Sequence, residues 1–312
     1  MPTTHLSTSR WVKCLSGDGS FRGVVIQATD LVQYMASLHG LEGPAAVALG
    51  EATIAALMVA SYCKSGEKLN LNIKSSGQVR RAFVDADPQG KVRGYLHLNP
   101  HFRAEAPKTE FEKKDPLRIG PWETGLFSVL RSPEKLEPVG GRTQPFIGTV
   151  PLLTGYMAKD LTYYWYQSEQ VPSAAGIDVE VDKQGKVISA GGFLVQAMPG
   201  AEESEVKKLE TEIRSLGEFT AEFRGDLDPI QVLGRLFFDM TFMLLEERNL
   251  QFFCGCSTDR VQSAVALVGT SELKDMLKEK KNVEVICDFC AQNYSITTDA
   301  IQDMLKRSEA KK

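Results

Sequence analysis

The sequence predicts an α+β protein in three parts: an N-terminal domain over residues 1–199 with helices packed on a mainly antiparallel sheet, a helical linker over 200–250, and a small C-terminal α+β domain over 251–312. Three observations lead there. Period-two alternation broken by turn signals fills residues 69–98 and 177–198. After Pro199-Gly200 the chain becomes charged and helical in period. Four of the six cysteines then gather in Cys254-Gly255-Cys256 and Cys287-Asp288-Phe289-Cys290.

The elements follow in order. Residues 22–28 are short and β-branched and predict a first strand. Thr29 is the expected N-cap of a helix from Asp30 to His39, with Leu31, Tyr34, Met35 and Leu38 on one face and Gly40 at its end. Gly43-Pro44 opens a second helix, where proline's missing N–H costs nothing. It is apolar nearly all round and so belongs at the centre of the core. Leu69 to Ile73 alternates, and Val79–Val84 with Lys91–Leu98 flank a hairpin turn at Asp85 to Gly90. Residues 99–122, rich in proline and charge, predict a surface loop. Strands resume at 125–130 and 146–150, a helix spans 157–170 up to Val171-Pro172, and a last hairpin pairs 177–181 with 187–198. The Gly191-Gly192 pair within that hairpin predicts a bulge or a close backbone approach, not a phosphate loop.

In the linker, residues 201–224 carry seven acids and four bases around a thin apolar seam. Asp228-Pro229 begins a helix whose continuation, 230–245, is dense in Leu, Phe and Met. Two readings stand side by side: connecting helices that cover the sheet, or a metastable cover hiding a sticky surface. In the C-terminal part Ser257 is the expected cap of a helix burying Val261, Ala264, Val265 and Val268, and Thr270 or Ser271 caps a second. A third helix follows Thr297-Thr298, and strands enter and leave the Cys287-x-x-Cys290 turn.

That turn has the spacing of a metal knuckle, and Cys254-x-Cys256 puts both sulfurs on one side of an extended segment. Four thiolates suit one tetrahedral zinc ion. His5, His39, His97 and His101 all lie far from the cluster in sequence, which favours an all-cysteine site. A disulfide-only arrangement and chance clustering remain the alternatives. Thioredoxin-type exchange is a poor fit, since its CxxC opens a helix in a βαβ unit. Cys63, late in the apolar stretch, is expected to be an inert core residue.

A net charge of −4, and nine Lys/Arg against nine Asp/Glu in residues 251–312, argue against nucleic-acid binding. The N-terminus lacks an apolar leader, although Ser, Thr and Arg in residues 3–10 have a faint presequence flavour. The Ala, Gly, Ser and Thr of 44–63 argue for a core helix over a membrane span, so no membrane partner and a cytoplasmic location are expected. No Ser-His-Asp order, P-loop or dinucleotide fingerprint points to an enzyme.

The Cys-x-Cys and Cys-Asp-Phe-Cys pairs, with Ser168-Glu169-Gln170-Val171-Pro172 and the segment Ser189 to Pro199, resemble the 33 kDa chaperonin (heat-shock protein 33) family over about residues 10–300. This resemblance implies an ATP-independent holdase with an α+β domain, a helical linker and a zinc switch, working as a homodimer when oxidised. The chain departs from the family pattern in its longer linker and 99–122 segment, and Ala291 stands where glycine is common.

With the resemblance, the chemistry predicts that Cys254, Cys256, Cys287 and Cys290 hold one zinc ion in the reduced state. Oxidation would pair Cys254 with Cys256 and Cys287 with Cys290, as proximity suggests and the resemblance also implies. Metal loss would then free the linker and expose Phe237, Phe238, Phe242 and Met243 to unfolded client proteins. The competing expectations are a partner- or nucleic-acid-binding module with purely structural zinc, and a thiol-exchange enzyme.

Overall fold

In a computed structural model, which describes residues 2–100, 122–133, 145–207, 211, 228–237, 240–279 and 281–309, the apolar run Pro44–Ala60 forms a helix with nearly every side chain buried. Its length and its single charge, Glu51, leave almost no solvent face, so it must lie inside. Around it stand strands β1 (Thr3–Ser16) and β2 (Phe21–Gln27), helices α1 (Thr29–Leu38) and α2 (Pro44–Ala60), and strands β3 (Glu67–Ser75), β4 (Val79–Ala86) and β5 (Lys91–Leu98). Next come β6 (Gly125–Pro133), β7 (Phe146–Leu152), helix α3 (Met157–Tyr164), β8 (Ser173–Val181), β9 (Val187–Ala197), α4 (Pro229–Leu236) and β10 (Phe242–Cys254). These strands form one ten-stranded sheet in the order β7-β6-β3-β4-β5-β10-β1-β2-β9-β8, with α2 packed on β4, β5, β8 and β9. The chain divides into two compact units, residues 5–252, and 253–312 together with 1–4.

The predicted α+β architecture, the 79–98 hairpin and the strands near 125, 146, 177 and 187 are all present. Three expectations are corrected. The first strand begins at Thr3, not at residue 22: its N-terminal half alternates between exposed and half-buried positions, and Trp11, Val12 and Cys14 are buried further on. Thr4 and Thr8 on exposed positions, with Ser7, Ser9 and Arg10 beside them, gave the stretch no apolar alternation.

The second correction concerns the helix expected over 230–245. It ends at Leu236, and Phe242–Cys254 is a strand inserted between β5 and β1. An apolar run is compatible with either period, and the sheet decided it through pairing with Lys91 and Val92 of β5. Third, Thr29 does not cap α1; its hydroxyl accepts a hydrogen bond from the Ala190 amide at 3.1 Å. The expected loop over 99–122 lies for the most part outside the described residues.

The 157–170 helix is α-helical to Tyr164 and continues as one π turn, Trp165–Glu169, closed by Gln170 at φ 55°. Glu169 accepts from Tyr164 Oη at 2.7 Å and pairs with Arg131 of β6, which fixes this turn on the sheet. The close approach expected at Gly191-Gly192 is real at Gly192. A Cβ there would come within 2.5 Å of Met58 Cε and 2.6 Å of the Gly176 carbonyl oxygen.

Backbone cannot yield as a side chain can. Gly192→Ala should therefore lower stability by about 1–3 kcal/mol in equilibrium denaturation. Gly234→Ala, in α4 with open space around it, should be neutral or stabilising by up to about 1 kcal/mol. Equal denaturation midpoints for the two variants would contradict this packing account.

Candidate metal centre

Strand β10 delivers the first sulfur. Leu250, Phe252 and Cys254 are alternate residues, all buried, so the pleat carries Cys254 on the inward row to the strand's last position. Two residues on, Cys256 is buried too, and Ser257 caps helix α5 (Thr258–Val265) by accepting from the Arg260 amide at 3.3 Å. Arg260 Nη1 donates to the Gly255 carbonyl at 2.8 Å, which pins the loop between the two sulfurs.

After helix α6 (Thr270–Lys278), the second pair sits between strands β11 (Val283–Ile286) and β12 (Asn293–Ile296), an antiparallel pair in which Ile286 faces Asn293. The Cys287 amide donates to the Gln292 carbonyl at 3.0 Å and the Ala291 amide to the Cys287 carbonyl at 2.8 Å. This tight turn brings Cys287 and Cys290 round to one side. It forces Ala291 to φ 55°, the left-handed region that favours glycine. Helix α7 (Thr298–Glu309) closes the unit, burying Ile301 and Met304 with Val261, Val265, Leu273 and Ile296. Ala264 and Val268, expected inside, are exposed.

The four sulfurs all lie within 4.8 Å of one another, with Cys254, Cys256 and Cys290 buried and Cys287 half-buried. Cys254 Sγ is 3.8 Å from Cys287 Sγ, and Cys256 Sγ is 3.2 Å from Cys290 Sγ. Two thiolates bound tetrahedrally at about 2.3 Å stand roughly 3.8 Å apart, so the cluster has the dimensions of a four-sulfur metal site. The oxygen-loving cations are excluded by the donor set.

Tyr294, which sequence reasoning read only as a strand residue, belongs to the site. Its hydroxyl lies 2.9 Å from Cys256 Sγ and 3.1 Å from Gln292 Oε1. Burial opposes ionisation of Cys256, but hydrogen bonds from Tyr294 and the neighbouring thiols outweigh it and hold the pKa below the ordinary thiol value. Burial pushes Cys290 upward instead. The only signal for Tyr294 was its place four residues after Cys290, which a pattern of cysteines does not weigh.

The other candidate residues lie in unit 5–252 and apart in burial. Phe237 is fully buried in a cluster with Val12, Cys14, Phe21, Val232, Leu233 and Leu236. Phe242 packs partly against that cluster, 5.8 Å from the Phe237 ring, and Met243 is 56% exposed beside exposed Leu244 and Leu245. Phe238 lies outside the described residues. Burial pushes the Cys14 thiol up to about 12 and that of Cys63 up to about 11. Ala291→Gly should relieve the turn and raise the stability of the C-terminal unit by up to about 1 kcal/mol, read as a higher melting temperature. A drop would mean the alanine methyl contributes packing that outweighs the backbone strain.

Comparison with known proteins points the same way. The family model described as "Hsp33 protein" matches residues 9–297. A 33 kDa chaperonin of Geobacillus sp. is 31% identical over 96% of this chain and 98% of its own length. One of Levilactobacillus brevis is 32% identical with the same coverage. The crystal structure of the 33 kDa chaperonin homologue of Thermotoga maritima superposes with a TM-score of 0.80 at 30% identity, over 96% of this chain and 99% of that one. With a family match over nearly the whole chain and a four-cysteine cluster at its C-terminal end, this protein belongs to the Hsp33 family, the 33 kDa chaperonins.

Proposed function

We propose that this protein is a redox-regulated, ATP-independent holdase: reduced, it is held inactive by one zinc ion on Cys254, Cys256, Cys287 and Cys290, and oxidation of those sulfurs releases a surface that binds unfolded proteins. The observation that carries this reading is the gathering of four sulfurs within 4.8 Å in a unit with a small core. When bound, zinc would keep all four sulfurs as thiolates and supply folding energy on the order of 10–16 kcal/mol to a unit too small to be secure without it.

The cysteines do the chemistry. A thiolate attacks a peroxide oxygen: an S–O bond forms, the O–O bond breaks and hydroxide leaves. The neighbouring thiol attacks the resulting sulfenic sulfur, an S–S bond forms and water leaves. Each pair of thiols thus gives up two electrons to one peroxide as its disulfide forms. As ligands are lost the unit loosens, and in a loosened chain loop-closure entropy favours partners close in sequence. Cys254 with Cys256, and Cys287 with Cys290, is the pairing this supports, although the shortest resting approaches run between the two motifs.

Strand β10 transmits the change, because Cys254 is its last residue. Freed at that end, β10 and α4 would leave the sheet, uncovering the buried Phe237 and the partly buried Phe242 together with the exposed Met243, with Phe238 assigned to the same surface. Residues 200–250 act as the releasable linker, 1–199 as the client-binding and dimerisation domain, and 251–312 as the switch. The cytoplasm, where thiols are kept reduced, is the compartment in which the protein would rest, and a homodimer is the proposed oxidised form. No helix among the described residues is long and apolar enough to cross a membrane.

Treatment with peroxide under mild heat should release one zinc per chain and, in step, begin to suppress aggregation of an unfolding client. Equal suppression before and after oxidation would sink the switch. Cys287→Ser should lower zinc content and uncouple chaperone activity from oxidant; an unchanged zinc stoichiometry would remove Cys287 from the ligand set. Cys14, buried beneath α4, should resist alkylation in the reduced protein and react at least about tenfold faster after oxidation, because labelling then reports opening. Unaltered protection of Cys14 would show that α4 stays in place.

A further inference from the structure

We infer that β10 and α4 occupy a seat on β1 whose charges select its next occupant: once they leave, the seat takes extended client segments that combine carboxylates with apolar residues. The inference rests on the release proposed above and specifies which client chemistry the released surface prefers. Three acids on the releasable stretch answer two cations of β1. Arg10 lies 3.2 Å from Asp228 Oδ1, which also caps α4 by accepting from the Ile230 amide, and 3.0 Å from Glu247 Oε1. Lys13 Nζ lies 2.7 Å from Glu246 Oε2, and Trp11 Nε1 donates to Glu246 Oε1 at 3.2 Å. The other cation on Glu246, Arg248 at 2.6 Å, belongs to β10 and departs with it.

Of the two cations left behind on β1, Lys13 is fixed in place. Lys13 Nζ also donates to the Ser61 carbonyl at 2.9 Å, so it stays at the end of α2 with its side chain only 17% exposed. Arg22, on the neighbouring β2, is held by Gln196 at 2.8 Å and stacks 4.1 Å over the Tyr62 ring, with Lys13 5.8 Å from the same ring. A half-buried ammonium stripped of its carboxylate is costly, and a client carboxylate repairs the loss where a client lysine adds repulsion. Alongside these charges the vacated surface is apolar, since Val12, Cys14, Phe21 and Val195 lose the cover of Val232, Leu233, Leu236 and Phe237.

The backbone sets the occupant's shape. β10 lies between β5 and β1, pairing with β5 through Gln251–Lys91 and Phe252–Val92. On the other side the Gly17 amide donates to the Thr241 carbonyl at 2.7 Å and Ser7 Oγ to the Leu250 carbonyl at 2.8 Å. Its departure leaves two strand edges facing one gap, each with unpaired N–H and C=O groups. Only an extended segment can satisfy both, by strand addition. One row of β10 runs Glu246, Arg248, Leu250 and Phe252, so the departing strand itself sets a carboxylate ahead of two buried apolar residues.

The test uses the oxidised full-length protein and two labelled peptides: residues 242–253 as they stand, and the same peptide carrying Glu246→Lys and Glu247→Lys. Fluorescence anisotropy should show the acidic peptide binding about tenfold tighter at low salt, with the preference shrinking near 0.5 M salt as screening shortens to a few ångströms. The reduced protein, its seat filled, should bind neither. Protein carrying Arg10→Gln and Lys13→Gln should lose the preference, and the comparison of peptides on the unmodified protein stands even if that variant folds poorly. Equal affinities for the two peptides, or no binding of either by oxidised protein that suppresses aggregation and exposes Cys14, would overturn the acidic-segment seat and leave the switch intact. If oxidation opens neither Cys14 nor chaperone activity, the switch and the seat fall together.

Discussion

Two sulfur pairs from distant parts of the sequence share one small volume, and the organisation of the C-terminal unit follows from that constraint. The first pair arrives at the end of a long strand, the second in a tight turn between two four-residue strands. Neither piece has much apolar surface of its own: Val261, Val265, Leu273, Ile296, Ile301 and Met304 make up most of what is buried there besides the cysteines and Tyr294. A core of that size offsets little of the backbone entropy of folding, so on the proposed reading fastening the sulfurs would govern whether the unit is ordered.

The strand that ends in Cys254 is also a full member of the ten-stranded sheet, and its attachment there has a divided character. At its C-terminal end Leu250 and Phe252 are buried and pair with the sheet. Further back it is held by ion pairs from Arg10 and Lys13 and by the Trp11 indole, while Met243, Leu244 and Leu245 face solvent. Burial of apolar area secures the end nearest the cysteines, and charge pairs of lower worth secure the rest. On the proposed mechanism, an element fastened in that way would lose most of its hold once the end beside the four cysteines is freed.

The two remaining cysteines illustrate how environment separates chemical roles for one residue type. Burial raises the pKa of Cys14 and Cys63 and suppresses the thiolate. In the cluster, Tyr294 and adjacent thiols lower that of Cys256 despite burial. Burial raises the pKa of Cys290 in the same cluster, so the two buried thiols of one site are shifted in opposite directions by their hydrogen-bond partners and burial.

What the sequence determined by itself was everything carried by local period or short spacing. The nearly all-apolar stretch after Gly43-Pro44 read as a core helix, and the alternation on either side of Asp87-Pro88-Gln89-Gly90 as a hairpin. The spacing Cys287-x-x-Cys290 between two strand-like segments was enough to mark a metal-sized turn. The tertiary structure decided the elements whose conformation depends on distant partners. Residues 3–16 became a strand because β2 and β10 flank them, and 242–254 became one because β5 and β1 offered a gap, pairings that join segments up to more than two hundred residues apart. An apolar run fits helix and strand alike, so its own residues could not settle the choice. The same holds for Phe237, Tyr294 and the Arg10–Lys13 pair, whose roles come from neighbours that no window of sequence contains.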